Sequence, residues 1–264
     1  MKYIDVHAHI FPDKIAGKVI TALEEYYNFS WQGDGTVKDL LAGMESAGVE
    51  KAVVFSCATK PDQVAPANEF LKSISTAYPE KFFAFGTIHP DHPDVQGMLK
   101  LIRDCNLQGI KLHPDFQQIY IDEPAMMKVY EQLDGTLPLM IHMGDARTDF
   151  SSPYRLARVL DRFPQLKIIA AHFGGYSEWD QVWKHLVGRD VYFDTSSSIF
   201  KLGAGEAAEI VRAHGVEKIL FASDYPAARP EQAIADVLAM DLSENENEQI
   251  FYLNARRLLN NDKS

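Results

Sequence analysis

Eight short apolar runs recur along the chain at a nearly constant spacing, and this regularity constrains the fold more than any other feature. The runs are rich in Val, Ile and Phe and begin near residues 3, 51, 82, 108, 138, 167, 191 and 218. After the first interval, successive starts lie 24 to 31 residues apart. This period fits one strand, one helix and two short loops. Eight such units in 264 residues predict a (β/α)8 TIM barrel that forms a single domain over residues 1–264.

The segments between the apolar runs carry helical spacing. VKDLLAGMESAG repeats apolar positions at three- and four-residue steps and ends on Gly48, a suitable residue to follow a helix. The first interval is longer, at 48 residues, and its excess lies between Phe11 and Gly35. Two alternatives stay open for this insertion after strand one: a short helix packed on the barrel, or a lid over the substrate. The last segment, residues 246–260, is expected to form a closing helix.

Charge and cysteine content narrow the range of partners and compartments. The net charge of -11 argues against a nucleic-acid backbone or an anionic membrane surface as the main partner, because both attract clustered Lys and Arg. Cys57 and Cys105 have no metal-site spacing and suit a reducing compartment. The first residues lack an apolar segment of signal-peptide length, and no run approaches membrane-spanning length. We therefore expect a cytoplasmic protein that acts on a small molecule.

Histidines and carboxylates fall at the C-terminal ends of the predicted strands, the rim where barrel enzymes place their active sites. His7 and His9 are two residues apart on strand one, so both side chains project to one face. The other rim residues, one for each of six later strands, are His89, His113, His142, His172, Asp194 and Asp224. Imidazoles with a carboxylate are a ligand set for Zn²⁺, and a position left for water allows metal-assisted hydrolysis. The rim therefore predicts a bound divalent ion, Zn²⁺ or alternatively Mn²⁺.

The runs IDVHAHIFP, GIKLHP, IHMG, AHFGG and ASDYP resemble the amidohydrolase-related (amidohydrolase 2) branch of the metal-dependent amidohydrolase superfamily, from strand one to strand eight. The resemblance implies a barrel with one metal ion held by His7, His9, His142 and Asp224. In decarboxylase relatives the residue that His172 matches positions or deprotonates the metal-bound water. In hydrolytic relatives the residue that Asp224 matches shuttles the proton. We therefore predict Asp224 and His172 as the catalytic residues.

Three further rim residues are expected to contact substrate or support the ligands. Many binuclear relatives bridge two metals through a carboxylated lysine on strand four, and Lys111 lies there, facing the same way as His113. We favour a Lys111 that bonds substrate or neighbouring polar groups, so a second metal ion is not expected. His113 contacts substrate or merely ends its strand in a turn. Asp194 orients a ligand histidine, or alternatively caps the segment that follows it.

Four residues near the strand ends complete the predicted site or its surroundings. Asp5 lies deepest along strand one and is expected to support the ligands. Arg147 and Arg229 follow strands five and eight, where a guanidinium at the cavity mouth would hold a substrate carboxylate. Cys57, at the end of strand two, is interpreted as a core residue.

The leading functional hypothesis is hydrolysis of an amide, lactone or similar C–N or C–O bond of a small molecule by a metal-activated water. The alternative is non-oxidative, metal-dependent decarboxylation of an unsaturated or aromatic carboxylic acid, a lyase reaction on the same platform. A barrel without catalytic activity is the third, disfavoured by so many titratable residues on one rim. Relatives are often dimers, so the chain could form a homodimer by analogy.

Overall fold

The predicted TIM barrel is confirmed in the computed structural model, which describes residues 1–133 and 135–259. Its eight parallel strands form one sheet in chain order. They are β1 (Tyr3–His9), β2 (Val49–Phe55), β3 (Phe82–Gly86), β4 (Gly109–Leu112), β5 (Leu139–Ile141), β6 (Ile168–Ala170), β7 (Tyr192–Asp194) and β8 (Ile219–Leu220). Every strand begins within two residues of its predicted start. The predicted domain bounds, 1–264, include residues 134 and 260–264, which lie outside the described residues.

Helices follow the strands around the barrel. They are α1 (Asp13–Tyr27), α2 (Val37–Ala47), α3 (Val64–Ala77), α4 (Val95–Asp104), α5 (Pro114–Gln117), α6 (Pro124–Leu133), α7 (Pro153–Arg162), α8 (Trp179–His185), α9 (Ile199–Leu202), α10 (Ala204–His214), α11 (Pro230–Leu238), α12 (Glu244–Glu248) and α13 (Asn254–Leu259). Helix α2 is the predicted VKDLLAGMESAG helix. It begins after Thr36, whose hydroxyl accepts a hydrogen bond from Asp39 N, and it ends at Gly48. The φ of 72° at Gly48 lies in the left-handed region that favours glycine. Among the described residues, no helix is long and apolar enough to cross a membrane.

Backbone hydrogen bonds between β1 and the segment after β8 hold the two ends of the sheet together. Val6 N donates to Phe221 O at 2.9 Å, and Asp224 N donates to His7 O at 2.9 Å. His9 N continues the series by donating to Tyr225 O. Because this contact continues past the end of β8, the loop after β8 runs beside the C-terminal half of β1. Asp224 is therefore fixed next to the histidine pair by the backbone alone.

The closing helix is confirmed over its described part, and it is interrupted by a π-helical turn. Helix α12, the π turn Gln249–Leu253 and α13 follow one another directly. In α13, Ala255 and Leu258 pack in one buried apolar cluster with strand residues that include Phe55 and Leu220. Burying a leucine side chain stabilises the fold by about 2 kcal/mol, and burying an alanine side chain stabilises it by less. Asn260, the last residue of the predicted helix, lies outside the described residues.

The insertion after β1 contains helix α1, in line with the first of the two alternatives, and a role as a lid stays a prediction. Ile15, Val19, Leu23 and Tyr27 recur at four-residue steps and therefore share one face of the helix. All four line a large cavity at the C-terminal ends of the strands. Only Ala16 of α1 is fully buried. The apolar face of the helix therefore forms a wall of the cavity.

Candidate metal centre

Three donor atoms from β1 and the loop after β8 converge on one point. The Nε2 atoms of His7 and His9 lie 3.2 Å apart. Asp224 Oδ1 lies 3.1 Å from His7 Nε2 and 3.5 Å from His9 Nε2. Ligand atoms around a tetrahedral ion with bonds of about 2.0 Å are separated by roughly 3.3 Å. Two imidazole nitrogens this close need a shared proton or cation between them, so these three residues fit a divalent metal ion.

Asp194, at the end of β7, supports this group from behind. Its Oδ2 lies 2.8 Å from His7 Nδ1, and its Oδ1 accepts hydrogen bonds from His172 N at 2.9 Å and from Ser196. The carboxylate is fully buried. A carboxylate on Nδ1 keeps the proton there and leaves the Nε2 lone pair free for a metal. Asp194 therefore sets the orientation and the tautomer of His7.

His142 and His172 form a second pair beside the first group. His172 Nε2 lies 2.9 Å from His142 Nδ1, and His172 Nδ1 lies 2.9 Å from Ser196 Oγ. The rings of His7 and His172 are 5.1 Å apart. Three of the four predicted ligands thus converge directly, whereas His142 reaches them across His172. A place for His142 in the coordination shell stays a prediction.

The pKa shifts of these histidines and carboxylates favour the protonation states that bind a cation. Burial lowers the pKa of His9 and His172 to about 4, and it lowers the pKa of His142 well below the ordinary value. Burial opposes ionisation of Asp224 and Asp194, but the neighbouring His7 outweighs it. The pKa of Asp224 falls well below its usual range and that of Asp194 falls to about 2. Neutral imidazoles with ionised carboxylates are the protonation states that metal binding requires.

Acid should destabilise the metal-free protein through the buried imidazoles. The pKa of His9 and His172 is about 4 when folded, against an ordinary value of 6.5. The unfolded chain therefore takes up protons first, and stability is lost as the pH falls from about 6.5 to 4. At pH 5 each of these two imidazoles lowers the free energy of unfolding by about 2 kcal/mol. The two carboxylates beside His7 raise its pKa against the effect of burial, which offsets part of the loss.

Urea unfolding in the presence of a chelator measures this effect. The free energy of unfolding should be lower at pH 5 than at pH 7 by about 2 kcal/mol or more. His9→Asn should reduce the difference, whereas His92→Asn in a surface loop should leave it unchanged. Equal free energies at the two pH values would contradict the assigned protonation states.

Lys111 is buried beside the first group of ligands. Its Nζ lies 3.3 Å from His7 Nε2 and 4.8 Å from the centroid of the Phe55 ring. Burial lowers its pKa. The side chain is absent from the cavity wall, so its contacts favour neighbouring polar groups over substrate. A centre with one metal ion stays a prediction.

His113 belongs to a third group of possible donors, with His142 and Asp115. The rings of His113 and His142 stack at 4.0 Å with an interplanar angle of 12°. Lone pairs of stacked imidazoles lie in nearly parallel planes, so they do not converge on one ion. His113 Nδ1 and His142 Nε2 instead face Asp115 Oδ2, at 4.0 and 3.8 Å. Sequence reasoning missed Asp115, although its position two residues after His113 is a usable signal.

The remaining predicted residues lie around the centre. Asp5 accepts hydrogen bonds from His7 N at 3.0 Å and from Ser223 N and Oγ, so it braces the backbone of β1 against the loop after β8. His89 is buried and accepts a hydrogen bond from Asp91 N. Cys57 lines the cavity, so its interpretation as a core residue was wrong. Burial raises the pKa of the Cys57 thiol to about 11, which keeps it protonated.

The structure does not bring the two predicted arginines into the cavity. Arg147 forms an ion pair with Asp145 and donates from Nη1 to Tyr26 O at 2.9 Å. Arg229 forms an ion pair with Asp39 at 3.0 Å. Each guanidinium is neutralised by a carboxylate of this chain, and neither lines the cavity. Both arginines instead hold the insertion and α2 against the barrel.

The cavity above the centre has a volume of about 790 Å³. Its walls include His9, His142, His172 and Asp224, and they continue along the apolar face of α1. Among its aromatic and cationic wall residues, Tyr27 and Trp31 belong to the insertion that the sequence indicates, whereas sequence reasoning missed Phe116, Tyr176, Phe200 and Lys201. For Tyr27 the four-residue spacing along α1 was an available signal. For Lys201 and Tyr176 the sequence carries no pattern that predicts a place in the cavity.

Solved structures share this architecture over nearly their whole length. An uncharacterized TIM-barrel protein from Bordetella bronchiseptica is 18% identical, with a TM-score of 0.78 over 98% of this chain and 99% of that one. The 5-carboxyvanillate decarboxylase from Sphingomonas paucimobilis is also 18% identical, with a TM-score of 0.72 over 98% of this chain and 99% of that one. A dihydroxybenzoic acid decarboxylase from Polaromonas, solved with manganese and 2-nitroresorcinol, is 16% identical. Its TM-score is 0.74 over 100% of this chain and 98% of that one. At these identities the likeness shows the fold.

The sequence itself matches a family model along almost its entire length. The match to the amidohydrolase family runs over residues 4–260. It includes all eight strands except Tyr3, the first residue of β1, and every donor of the candidate metal centre. The chain therefore belongs to the amidohydrolase family.

Proposed function

We propose that this chain is a metal-dependent hydrolase that cleaves an amide, lactone or similar C–N or C–O bond of a small molecule. The observation that carries the proposal is the convergence of His7, His9 and Asp224 at the wall of a large cavity. Asp224 is held ionised there, which suits it to accept a proton. The ion is Zn²⁺ or Mn²⁺, with His142 as the fourth proposed ligand.

A bound divalent ion would polarise a carbonyl group and lower the pKa of a water molecule. The side chains of this chain then hold and move protons. Asp224 Oδ2 accepts a hydrogen bond from Ser197 Oγ at 2.5 Å, which fixes the carboxylate at the cavity wall. Asp224 accepts the proton of the attacking water as general base. It then delivers that proton to the leaving group.

His172 is the second proposed catalytic residue. It lines the cavity as a neutral imidazole, with Nδ1 held by Ser196 Oγ at 2.9 Å. Its Nε2 faces His142 and the edge of the metal centre. A neutral imidazole fixed in this way can orient a water molecule or a substrate oxygen. The wall formed by α1 restricts the entry of further water.

Decarboxylation of an aromatic acid is the second candidate. The cavity has flat aromatic walls, in which Tyr176 packs against the rings of His142 and His172 at 5.6 and 5.5 Å. At least five of the structural neighbours are named as decarboxylases of aromatic acids. A non-oxidative decarboxylase must deliver a proton to the carbon that loses CO₂. Because its low pKa keeps Asp224 ionised, it carries no proton to deliver to that carbon, and hydrolysis is therefore preferred.

A substrate panel separates the two reactions. Protein reconstituted with Zn²⁺ or Mn²⁺ is incubated with lactones, amides and hydroxybenzoates, while acid release and CO₂ are recorded. We expect acid release from a lactone or amide, with one ion per chain by elemental analysis. CO₂ from a hydroxybenzoate without acid release would replace hydrolysis by the second candidate. A metal content near zero after reconstitution would contradict both.

A further inference from the structure

Lys201 stands out among the charged residues that line the cavity. Among the described residues, it is the only lysine or arginine in the cavity wall, where the carboxylates are those of Asp62, Asp224 and Asp236. In that same part of the chain, no carboxylate lies within 4.0 Å of its Nζ, and its side chain is exposed. Arg147 is by contrast neutralised by a carboxylate of its own chain. Lys201 therefore presents a charge that the protein itself does not neutralise.

The position of Lys201 relates it to the candidate metal centre. Its Nζ lies 3.5 Å from the centroid of the Tyr176 ring and 5.6 Å from that of Phe200. A cation on the face of an aromatic ring is attracted by the ring quadrupole, so Tyr176 holds the ammonium group in place. The Tyr176 ring in turn packs against His142 and His172. The ammonium group therefore lies within about 9 Å of the His172 ring, roughly the length of a small aromatic acid.

We infer that Lys201 binds an anionic group of the substrate, so that the substrate class is a small molecule with a carboxylate about one aromatic ring away from the bond that is cleaved. The inference rests on the proposed hydrolase, since it assigns a substrate class to the same cavity. A carboxylate at Lys201 forms a charge-assisted hydrogen bond. The other end of such a molecule reaches the metal centre. Lys201 and the metal centre together therefore select both the class of substrate and its orientation in the cavity.

Binding of two aromatic acids tests the site without any turnover. Benzoate has one carboxylate, which the metal centre can bind, whereas isophthalate carries a second carboxylate at the meta position of the ring. Calorimetric titration of the metal-loaded protein should show isophthalate binding about tenfold more tightly than benzoate. Lys201→Met should reduce this advantage to about twofold or less, and Lys201→Arg should retain most of it. Lys18→Met is the matched control, because Lys18 is exposed on α1 and does not line the cavity.

Two results would overturn the inference: equal affinities of the wild-type protein for the two acids, or an undiminished advantage in Lys201→Met. Circular dichroism of all three lysine variants verifies that they are folded. The test also separates the inference from the proposed reaction. If no hydrolysis is found but the advantage of isophthalate disappears in Lys201→Met alone, the reaction assignment fails and the anion site stands.

Discussion

Replacement of Asp224 by asparagine is expected to lower kcat by about 10³-fold and to leave the barrel folded. The asparagine keeps the shape of the side chain, and the backbone bond from residue 224 to His7 O is unaffected. What is lost is the ionised oxygen that lies 3.1 Å from His7 Nε2. An amide neither accepts the proton of an attacking water nor balances the charge of a cation. The rate is measured at saturating metal with the best substrate of the panel.

Asp236→Asn is the matched control for this variant. Asp236 lines the same cavity but belongs to none of the groups of metal donors. Its replacement should change kcat by less than about threefold, because a charge outside the metal centre and partly open to solvent has little effect on the reaction. Asp224→Asn with a kcat within tenfold of the wild type would remove Asp224 from the catalytic residues. Thermal unfolding of both variants shows whether a loss of rate reflects a loss of fold.

The sequence predicted the rim of the barrel well because the ends of parallel strands meet by topology. Strand period and residue type were sufficient to place His7, His142, His172 and Asp194 near one another. Which atoms touch depends on the stagger of the strands and on the contact between β8 and β1, and neither can be read from a local pattern. Asp224 illustrates this, since a backbone bond to His7 O fixes its place beside the histidines.

Long, flexible side chains were the hardest to predict. Arg147 and Arg229 follow the correct strands, yet each turns to a nearby carboxylate, because an ion pair within the chain competes with any role in the cavity. Asp145 is two residues from its arginine and could have been anticipated. Asp39 comes from α2 and could not. Lys201 carries no distinguishing motif, and only the packing of α9 beside Tyr176 places it at the cavity.

The insertion shows a different limit of sequence reasoning. The four-residue spacing of Ile15, Val19, Leu23 and Tyr27 indicates one apolar face. An apolar face normally predicts burial in the core, and only the structure shows that this one borders a cavity instead. Apolar residues that line a substrate site and those that pack in a core have the same sequence pattern. Sequence alone therefore could not decide between a packed helix and a cover for the site.

Asp194→Asn is expected to weaken the affinity for the metal ion by about 10- to 100-fold. Asp194 Oδ2 accepts a hydrogen bond from His7 Nδ1 at 2.8 Å. Its other oxygen already accepts from His172 N and Ser196, so the amide group of an asparagine would be directed towards His7. His7 would then accept at Nδ1 and carry its proton on Nε2, the atom that faces His9 and Asp224. In this tautomer the Nε2 lone pair of His7 is no longer available to bind the metal ion.

Competition with a chelator of known affinity measures the Kd for Zn²⁺ in the wild type and the variant. Asp190→Asn is the matched control, because Asp190 lies just before β7, away from the metal centre, and forms an exposed ion pair with Lys218. At saturating metal the Asp194 variant should regain part of its kcat, since Asp224, the proposed general base, is still present. A purely structural role would instead lower the unfolding temperature and leave the Kd of the folded fraction unchanged. A Kd within threefold of the wild type would show that Asp194 does not position His7 for the metal.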